Sequence, residues 1–143
     1  MSWLVVCGGG LVGGMVCCVG GLCGVHVRVT FVQFVGFELL GMAVSQARLP
    51  YTPAPEHLNR FDGAHGGASM KLMGVAMAHA ARSVEPDMGC VTIEMKTSFM
   101  QPAVGRLEAV ATLLHRTATM AFTDAKVFDS KGRLCIHASG TFH

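Results

Sequence analysis

Glycines near the start of the chain have a spacing that could bind a phosphate group. Residues 3–7 read as a short buried strand, and Gly8-x-Gly10-x-x-Gly13 follows them directly. In dinucleotide-binding domains, glycines at this spacing let the backbone approach a pyrophosphate at a helix N-terminus. Here residues 14–24 are too rich in glycine to form that helix, and Arg28 follows where a ribose-binding acid belongs. We therefore interpret the motif as chance and expect no dinucleotide cofactor.

The cysteines are the second group that could bind a ligand. Four of them lie in the opening segment, without the paired spacing of a metal site and without a pair of histidines nearby. The other two, Cys90 and Cys135, lie in apolar, strand-like contexts and are expected to be buried thiols. The four early cysteines are Cys7, Cys17, Cys18 and Cys23. The sequence thus predicts no metal site.

Composition and charge limit the classes of function. The chain has 143 residues, of which 51% are hydrophobic and 14% charged, so it can form one domain with a sizeable core. Its net charge is +2, and no run of basic residues exceeds two. A nucleic-acid-binding surface needs Lys and Arg clustered on one face, so nucleic acid is not expected as a partner.

Charged residues are absent from the opening of the chain. Residues 1–27 carry none and hold eight of the eighteen glycines. A secretory signal has its cations before the apolar run, and a membrane-spanning helix needs about 20 apolar residues with good helix propensity. We favour a poorly ordered extension, or a start site assigned too far upstream, over a membrane span. The predicted boundaries are residues 1–30 for this Gly/Cys/Val-rich extension and residues 31–143 for the globular domain.

The globular part contains one long helix, which begins at His65 and ends near Arg82. Apolar residues lie on almost every face of it, which predicts a buried helix, and Pro86 prevents its continuation. Before this helix we predict a short helical turn at residues 31–35, a strand at 36–44, a turn at Ser45-Gln46, a strand at 47–51 and a proline-containing loop at 52–64.

Four strands with a period of two follow the helix. The Asp129-Ser-Lys-Gly132 stretch is typical of a hairpin turn, and residues 101–105 form another turn. The predicted strands are residues 91–99, 106–115, 119–128 and 133–142. This order of elements favours an α+β fold in which a curved antiparallel sheet wraps around one long central helix.

Three segments of the globular part carry a family resemblance. They are Asn59…Gly63-Ala64-His65-Gly66-Gly67-Ala68, residues 91–103, which end in Pro102-Ala103, and residues 132–142. Over about residues 31–142, the chain resembles the small hotdog-fold acyl-CoA thioesterases of the phenylacetate-degradation (PaaI-like) type. The resemblance implies hydrolysis of an acyl-CoA thioester without a metal or cofactor, by a homodimer or homotetramer whose sites lie between protomers.

The resemblance also implies a role for each residue of the motif. The amide of Gly67, at the helix N-terminus, would polarise the thioester carbonyl through its unpaired N–H and the helix dipole. Asn59 would orient a carboxylate or the attacking water, and Thr92 would help to hold that water. His65 is expected to shape the loop and the entrance rather than to act as a base.

The catalytic acid that the resemblance implies is missing. It would be an Asp or Glu nine residues after His65, but this chain has Gly74 there, and no carboxylate lies between Asp62 and Glu85. Loss of a general base typically lowers a rate by about 10²–10⁴, so we expect reduced activity. Asp62 could compensate only if its loop folds inward, and Glu94 is expected at the solvent or at a subunit contact.

Substrate contacts are expected at three places. His115 and Arg116 could meet a CoA phosphate, with help from Lys126 or Arg106. A glycine such as Gly66 lets a substrate approach the backbone closely. Methionines of the helix would line the acyl pocket, although core packing is the alternative for at least one of them. These methionines are Met70, Met73 and Met77.

Three hypotheses of function remain open at this point. The first is a cytoplasmic acyl-CoA thioesterase of reduced activity. The second is a pseudoenzyme that binds acyl-CoA without hydrolysing it, or that only joins oligomers. The third is a membrane-tethered hotdog module, which the uncharged opening segment would anchor.

Overall fold

A six-stranded antiparallel sheet and one long helix make up most of the part of the chain that the structure describes. The computed structural model describes residues 30–37, 41–85 and 89–143, so the predicted extension lies outside it except for Thr30. The helices are α1 (Thr30–Phe34), a 3-10 helix (Pro55–His57) and α2 (Gly66–Arg82). The strands are β1 (Gly41–Ala43), β2 (Gln46–Tyr51), β3 (Thr92–Phe99), β4 (Leu107–Arg116), β5 (Ala121–Asp129) and β6 (Leu134–Phe142).

The order of the strands in the sheet differs from their order in the chain. Neighbouring strands follow the order β1-β2-β4-β5-β6-β3, and every pair is antiparallel. The first strand after α2, β3, therefore lies at an edge and pairs with β6 alone among the described strands. Residues 101–105, predicted as a turn, carry the chain from this edge to β4 in the middle of the sheet.

The long helix is buried against the sheet, as its all-round apolar pattern predicts. Eight of the seventeen residues of α2 are buried, and β5 alternates between buried and more exposed residues along its length. Alanines supply much of the contact between the two layers, which allows helix and sheet to approach closely. Examples from α2, β5 and β6 are Ala76, Ala80, Ala125 and Ala138.

The predicted elements after residue 64 are confirmed, and the differences lie before α2. The four later strands agree with the prediction within two residues at each end. Among the described residues of the strand predicted at 36–44, Gly41–Ala43 form a strand, and Gly36, with a positive φ of 73°, turns the chain after α1 instead. Residues 38–40 lie outside the described part. The segment predicted as a loop, residues 52–64, contains the 3-10 helix, which was not predicted from the sequence.

The hairpin between β5 and β6 forms at the predicted residues. Asp129 Oδ1 accepts hydrogen bonds from the N–H groups of Lys131 and Arg133, both at 2.9 Å, and Gly132 has a φ of 74°. The bond from the Arg133 N–H, together with its guanidinium, holds the pKa of the Asp129 carboxyl below its usual value. No helix in the described ranges combines the length and apolar character needed to cross a membrane.

Candidate active site

The loop before α2, residues 59–65, is closed by the side chain of Asn59. Its Oδ1 accepts hydrogen bonds from the backbone N–H groups of Phe61 (2.9 Å) and Gly63 (3.2 Å). The backbone N–H of Asn59 donates to the Gly63 carbonyl (2.8 Å). Asp62 turns the chain with a φ of 58°, which non-glycine residues rarely adopt. The Nδ2 of the same amide lies 3.5 Å from the place where a Cβ on Gly63 would be and donates no hydrogen bond within the described ranges, so its two N–H donors stay available.

His65 caps the N-terminus of α2. Its Nδ1 accepts a hydrogen bond from the Gly67 N–H at 3.1 Å, so the proton of a neutral imidazole lies on Nε2. The backbone N–H of His65 donates to the His57 carbonyl at 2.8 Å, which ties the 3-10 helix to α2. This arrangement agrees with a shaping role for His65. It also engages the Gly67 N–H, which can polarise a carbonyl only after the imidazole turns away.

Two other backbone N–H groups at this end of α2 have no hydrogen-bond acceptor among the described residues; they are called the open N–H groups below. No hydrogen bond within the described ranges engages the N–H of Gly66 or of Ala68. Unpaired N–H groups in the first turn carry the positive end of the helix dipole. Gly66 therefore offers a backbone N–H donor, whereas the sequence predicted only that a substrate could approach its backbone closely.

The position at which the resemblance places the catalytic acid lies halfway along α2. Gly74 is half-buried, and apart from the adjacent helix backbone no atom of the described residues lies within 4 Å of the place where its Cβ would be. It follows Gly66 by eight residues, so the two are about 12 Å apart along the helix axis. A Cβ would fit here without displacing a neighbour, so close packing at this atom does not explain the glycine.

Thr92 and Arg116 lie at the opposite end of α2. A cavity of about 300 Å³ lies there between the end of the helix, the β4–β5 turn and the end of β6. Arg116 lines this cavity and forms an ion pair with Glu85, and Thr92 is the register partner of Phe142, which also lines it. The 17 residues of α2 span about 25 Å, so this group and the 59–65 loop do not meet within one chain.

Cys90 lines the same cavity. Burial raises the pKa of its thiol, and the nearby Arg82 offsets this only in part, so the fraction of reactive thiolate is lowered. The expectation of a buried thiol holds for Cys135, which is fully buried, whereas Cys90 is half-buried.

The two residues predicted to meet a CoA phosphate face opposite sides of the sheet. The register of β4 against β5 shifts between Leu113 and His115. After the shift His115 pairs with Phe122 and stacks on its ring, with centroids 6.2 Å apart, whereas Arg116 faces the cavity. The pair therefore does not converge on one ligand in this chain, and of the two only Arg116 reaches the cavity.

The methionines of α2 divide into core and surface. Met73 and Met77 are 0% exposed and fill the core, which is the alternative that the sequence left open, whereas Met70 is 37% exposed. Of the three methionines, only Met70 is positioned to meet a ligand without rearrangement of the core. The predicted acyl pocket must therefore have other walls.

Neither Asp62 nor Glu94 is placed as an evident replacement for the acid. Asp62 is exposed in the 59–65 loop, and Glu94 is exposed on β3, where its Oε1 accepts a hydrogen bond from the Thr141 hydroxyl at 3.1 Å. In the part of the chain that the structure describes, no three His, Cys, Asp or Glu side chains are grouped so as to hold a metal ion.

A family comparison decides the relationship of this chain to known proteins. The profile described as "Thioesterase superfamily" matches residues 62–136, which is more than half of the chain. The chain belongs to the thioesterase superfamily. The match contains α2, the first four strands after it without the end of β6, and most of the candidate site residues.

Similar proteins share the fold. The PA5202 protein of Pseudomonas aeruginosa is 27% identical, with 80% of this chain and 93% of that chain covered and a TM-score of 0.76. The PaaI protein from the phenylacetic acid degradation operon of E. coli is 20% identical, with 81% and 84% covered and a TM-score of 0.75. SSO1253 of Saccharolobus solfataricus, a candidate esterase, is 26% identical over 112 residues, which cover 77% of this chain and 74% of that protein. The predicted hotdog fold and PaaI-like relationship are confirmed, and the chain falls among thioester hydrolases.

Proposed function

We propose that this thioesterase-superfamily protein binds acyl-CoA thioesters at a site completed by a second copy of the chain. We further propose that it hydrolyses them slowly, because Gly74 stands at the position of the catalytic acid. The observation that carries the proposal is the separation of the candidate residues into two groups at opposite ends of α2. The 59–65 loop and the open N–H groups form one group, and Thr92 and Arg116 form the other. A twofold-related copy would bring the first group of one protomer next to the second group of its partner.

The edge strand β3 is a suitable surface for this contact. Its outer side pairs with no other described strand, and most of its side chains are exposed. Ile93 and the preceding Val91 add apolar side chains that are 54% and 67% exposed. An exposed apolar edge is a template for pairing with another chain. Antiparallel pairing of two β3 strands would place opposite ends of the two α2 helices near each other, which supports a homodimer or a homotetramer built as a dimer of dimers.

The chemistry of such a site follows from its donors. The open N–H groups at the start of α2 would polarise the thioester carbonyl and stabilise the oxyanion that forms when water attacks. The Nδ2 of Asn59 and the hydroxyl of Thr92 would position that water. With glycine at position 74, no carboxylate takes the proton from the water, so only positioning and polarisation remain.

Arg116 is the candidate contact for a CoA phosphate. A guanidinium matches the geometry of a phosphate, and Arg116 lines the cavity together with Arg82. Glu85 is its present ion-pair partner, so a bound phosphate would compete with this carboxylate for the guanidinium.

Restoring the acid tests the proposal. We expect Gly74→Asp to raise the rate of CoA release by about 10²–10⁴. Gly74→Ala is the matched control: it fills the same open position with a methyl group and should leave the rate unchanged. Both variants should fold, because each replaces a mid-helix glycine with a residue of better helix propensity. The assay is thiol detection with phenylacetyl-CoA and with short- and medium-chain acyl-CoA esters.

Two outcomes would contradict the proposal in different ways. A natural chain that is already active and gains nothing from Gly74→Asp would show that position 74 does not hold the acid, and Asp62 and Glu94 would be mutated next. Absence of turnover in every variant, together with no binding of CoA esters by calorimetry, would reject the function itself.

Glycine at position 74 also favours a second candidate function, which is binding of acyl-CoA without hydrolysis. This function predicts that the natural chain binds CoA esters in calorimetry while releasing no thiol. Measurable turnover by the natural chain would reject this candidate and leave the slow hydrolase.

A further inference from the structure

The ring of Phe99 covers the helix end where the thioester carbonyl is proposed to bind. Its Cζ and Cε1 lie 3.4 and 3.7 Å from the position that a Cβ on Gly66 would occupy. Gly66 is the first residue of α2 and supplies one of the two open N–H groups. The ring therefore lies directly beside a donor proposed to polarise the substrate.

The backbone beneath this ring is anchored to the core. Phe99 is the last residue of β3, in register with Ile136 of β6. The next two N–H groups, those of Met100 and Gln101, both donate to the carbonyl of Cys135, at 2.9 and 3.1 Å. Since Cys135 is fully buried, the end of β3 holds the aromatic side chain at a defined place above the helix terminus.

Phe99 is nevertheless 54% exposed. Aromatic side chains gain stability from burial, so a well-anchored ring that stays half exposed beside a proposed reaction centre is a surface suited to an apolar group of a ligand. The methionines of α2 fill this role at most in part, because Met73 and Met77 are fully buried and only Met70 is exposed.

We propose that Phe99 is a specificity-determining residue of the site, which selects apolar acyl groups large enough to cover its ring over short acyl groups. This inference rests on the proposed function. An acyl group whose carbonyl oxygen accepts a hydrogen bond from the Gly66 N–H extends next to the ring. A phenyl or medium-length alkyl group covers the exposed face of the ring, whereas a methyl group leaves it in water.

Binding measurements test the proposal without requiring turnover. The probes are two unhydrolysable thioethers, S-phenacyl-CoA and S-acetonyl-CoA, which differ by a phenyl against a methyl group next to the same carbonyl. Calorimetry with the full chain and with Phe99→Leu should show S-phenacyl-CoA bound about tenfold more weakly by the variant, which corresponds to about 1.4 kcal/mol. The affinity for S-acetonyl-CoA should not change.

Phe122→Leu provides the matched control. This phenylalanine is also partly exposed on a strand, but it stacks on His115 away from the helix terminus. We expect Phe122→Leu to change the affinity for neither probe. Equal weakening by Phe99→Leu and Phe122→Leu would overturn the assignment to Phe99.

The remaining outcomes separate this inference from the function on which it rests. If Phe99→Leu binds both probes as the natural chain does, or weakens both equally, the specificity role is rejected while acyl-CoA binding stands. If light scattering shows that Phe99→Leu dissociates an oligomer, the ring is a subunit contact and the inference is likewise rejected. If the natural chain binds neither probe, the proposed function fails together with it.

Discussion

Replacing Asn59 by Ala and by Asp separates the structural role of this residue from its chemical role. In Asn59→Ala, the N–H groups of Phe61 and Gly63 lose their acceptor. Water can replace it at the exposed Phe61, but Gly63 is buried, and its N–H would stay unpaired. A net hydrogen bond contributes about 0.5–1.5 kcal/mol, and an unpaired buried donor costs about 1–3 kcal/mol. We therefore expect Asn59→Ala to lower the free energy of unfolding by about 2 kcal/mol.

Asn59→Asp keeps an acceptor oxygen where the two N–H groups need it and removes only the Nδ2 donors. Its free energy of unfolding should stay within about 0.5 kcal/mol of that of the natural chain. Urea unfolding measures both variants, and the loss in Asn59→Ala should shift the midpoint without changing the slope. A loss of about 2 kcal/mol also corresponds to a fall in Tm of about 8 °C for a domain of this size.

The chemical role is measured in the Gly74→Asp background, where turnover is expected to be high enough to follow. There Asn59→Asp should lower kcat for CoA release by about 10², the usual effect of losing a well-placed donor, while the Tm stays unchanged. The reasoning is refuted if Asn59→Asp unfolds as easily as Asn59→Ala, because Oδ1 then does not close the loop. It is also refuted if Asn59→Asp keeps full activity, because Nδ2 then takes no part in the reaction.

Two further predictions concern stability. The pKa of Asp129 is lowered from its ordinary value of 3.8, chiefly by the hydrogen bond from the Arg133 N–H; the carboxylate therefore stabilises the fold above that value, and this contribution is lost as the pH falls through the lower folded pKa. Asp129→Asn should thus reduce stability at pH 7 and flatten the acid side of the stability curve, and an unchanged curve from urea unfolding at pH 2–7 would contradict this. In Gly140→Ala, the new Cβ would lie 3.1 Å from Cε of Met77, which is fully buried, so we expect a loss of about 1–3 kcal/mol. A gain in stability on urea unfolding would show instead that Met77 repacks freely.

Most of the local structure could be predicted from the sequence, because its causes are local. The all-round apolar pattern of α2, its start at His65 and its end before Pro86 are properties of neighbouring residues. The same is true of the period-two strands and of the turn at residues 129–132. The motif around His65, together with Asn59, the helix that follows and the strand that ends in Pro102-Ala103, was enough to predict the hotdog fold and the family, and the comparisons confirm both.

The arrangement of the site depends on contacts between residues far apart in the chain. A period-two pattern shows that a segment is a strand but not which strand it pairs with, so the position of β3 at the edge beside β6 emerged only from the structure. His115 and Arg116 are consecutive in β4, so regular alternation turns them to opposite faces. The register shift just before them decides that Arg116, rather than His115, takes the side of the sheet that faces the cavity, and the sequence pattern does not show this shift.

Packing decided which apolar side chains the core encloses and which lie near the candidate site. Met70 and Met73 are equally apolar in sequence, but only the packing of α2 on the sheet shows which of them the core encloses. The ring of Phe99 reaches Gly66 because the end of β3 folds back onto the start of α2, 33 positions earlier in the chain. The helix, the strands after it and the family were thus predictable from local sequence patterns. Which side chains share a space became visible only in the folded chain, because long-range pairing and packing set those distances.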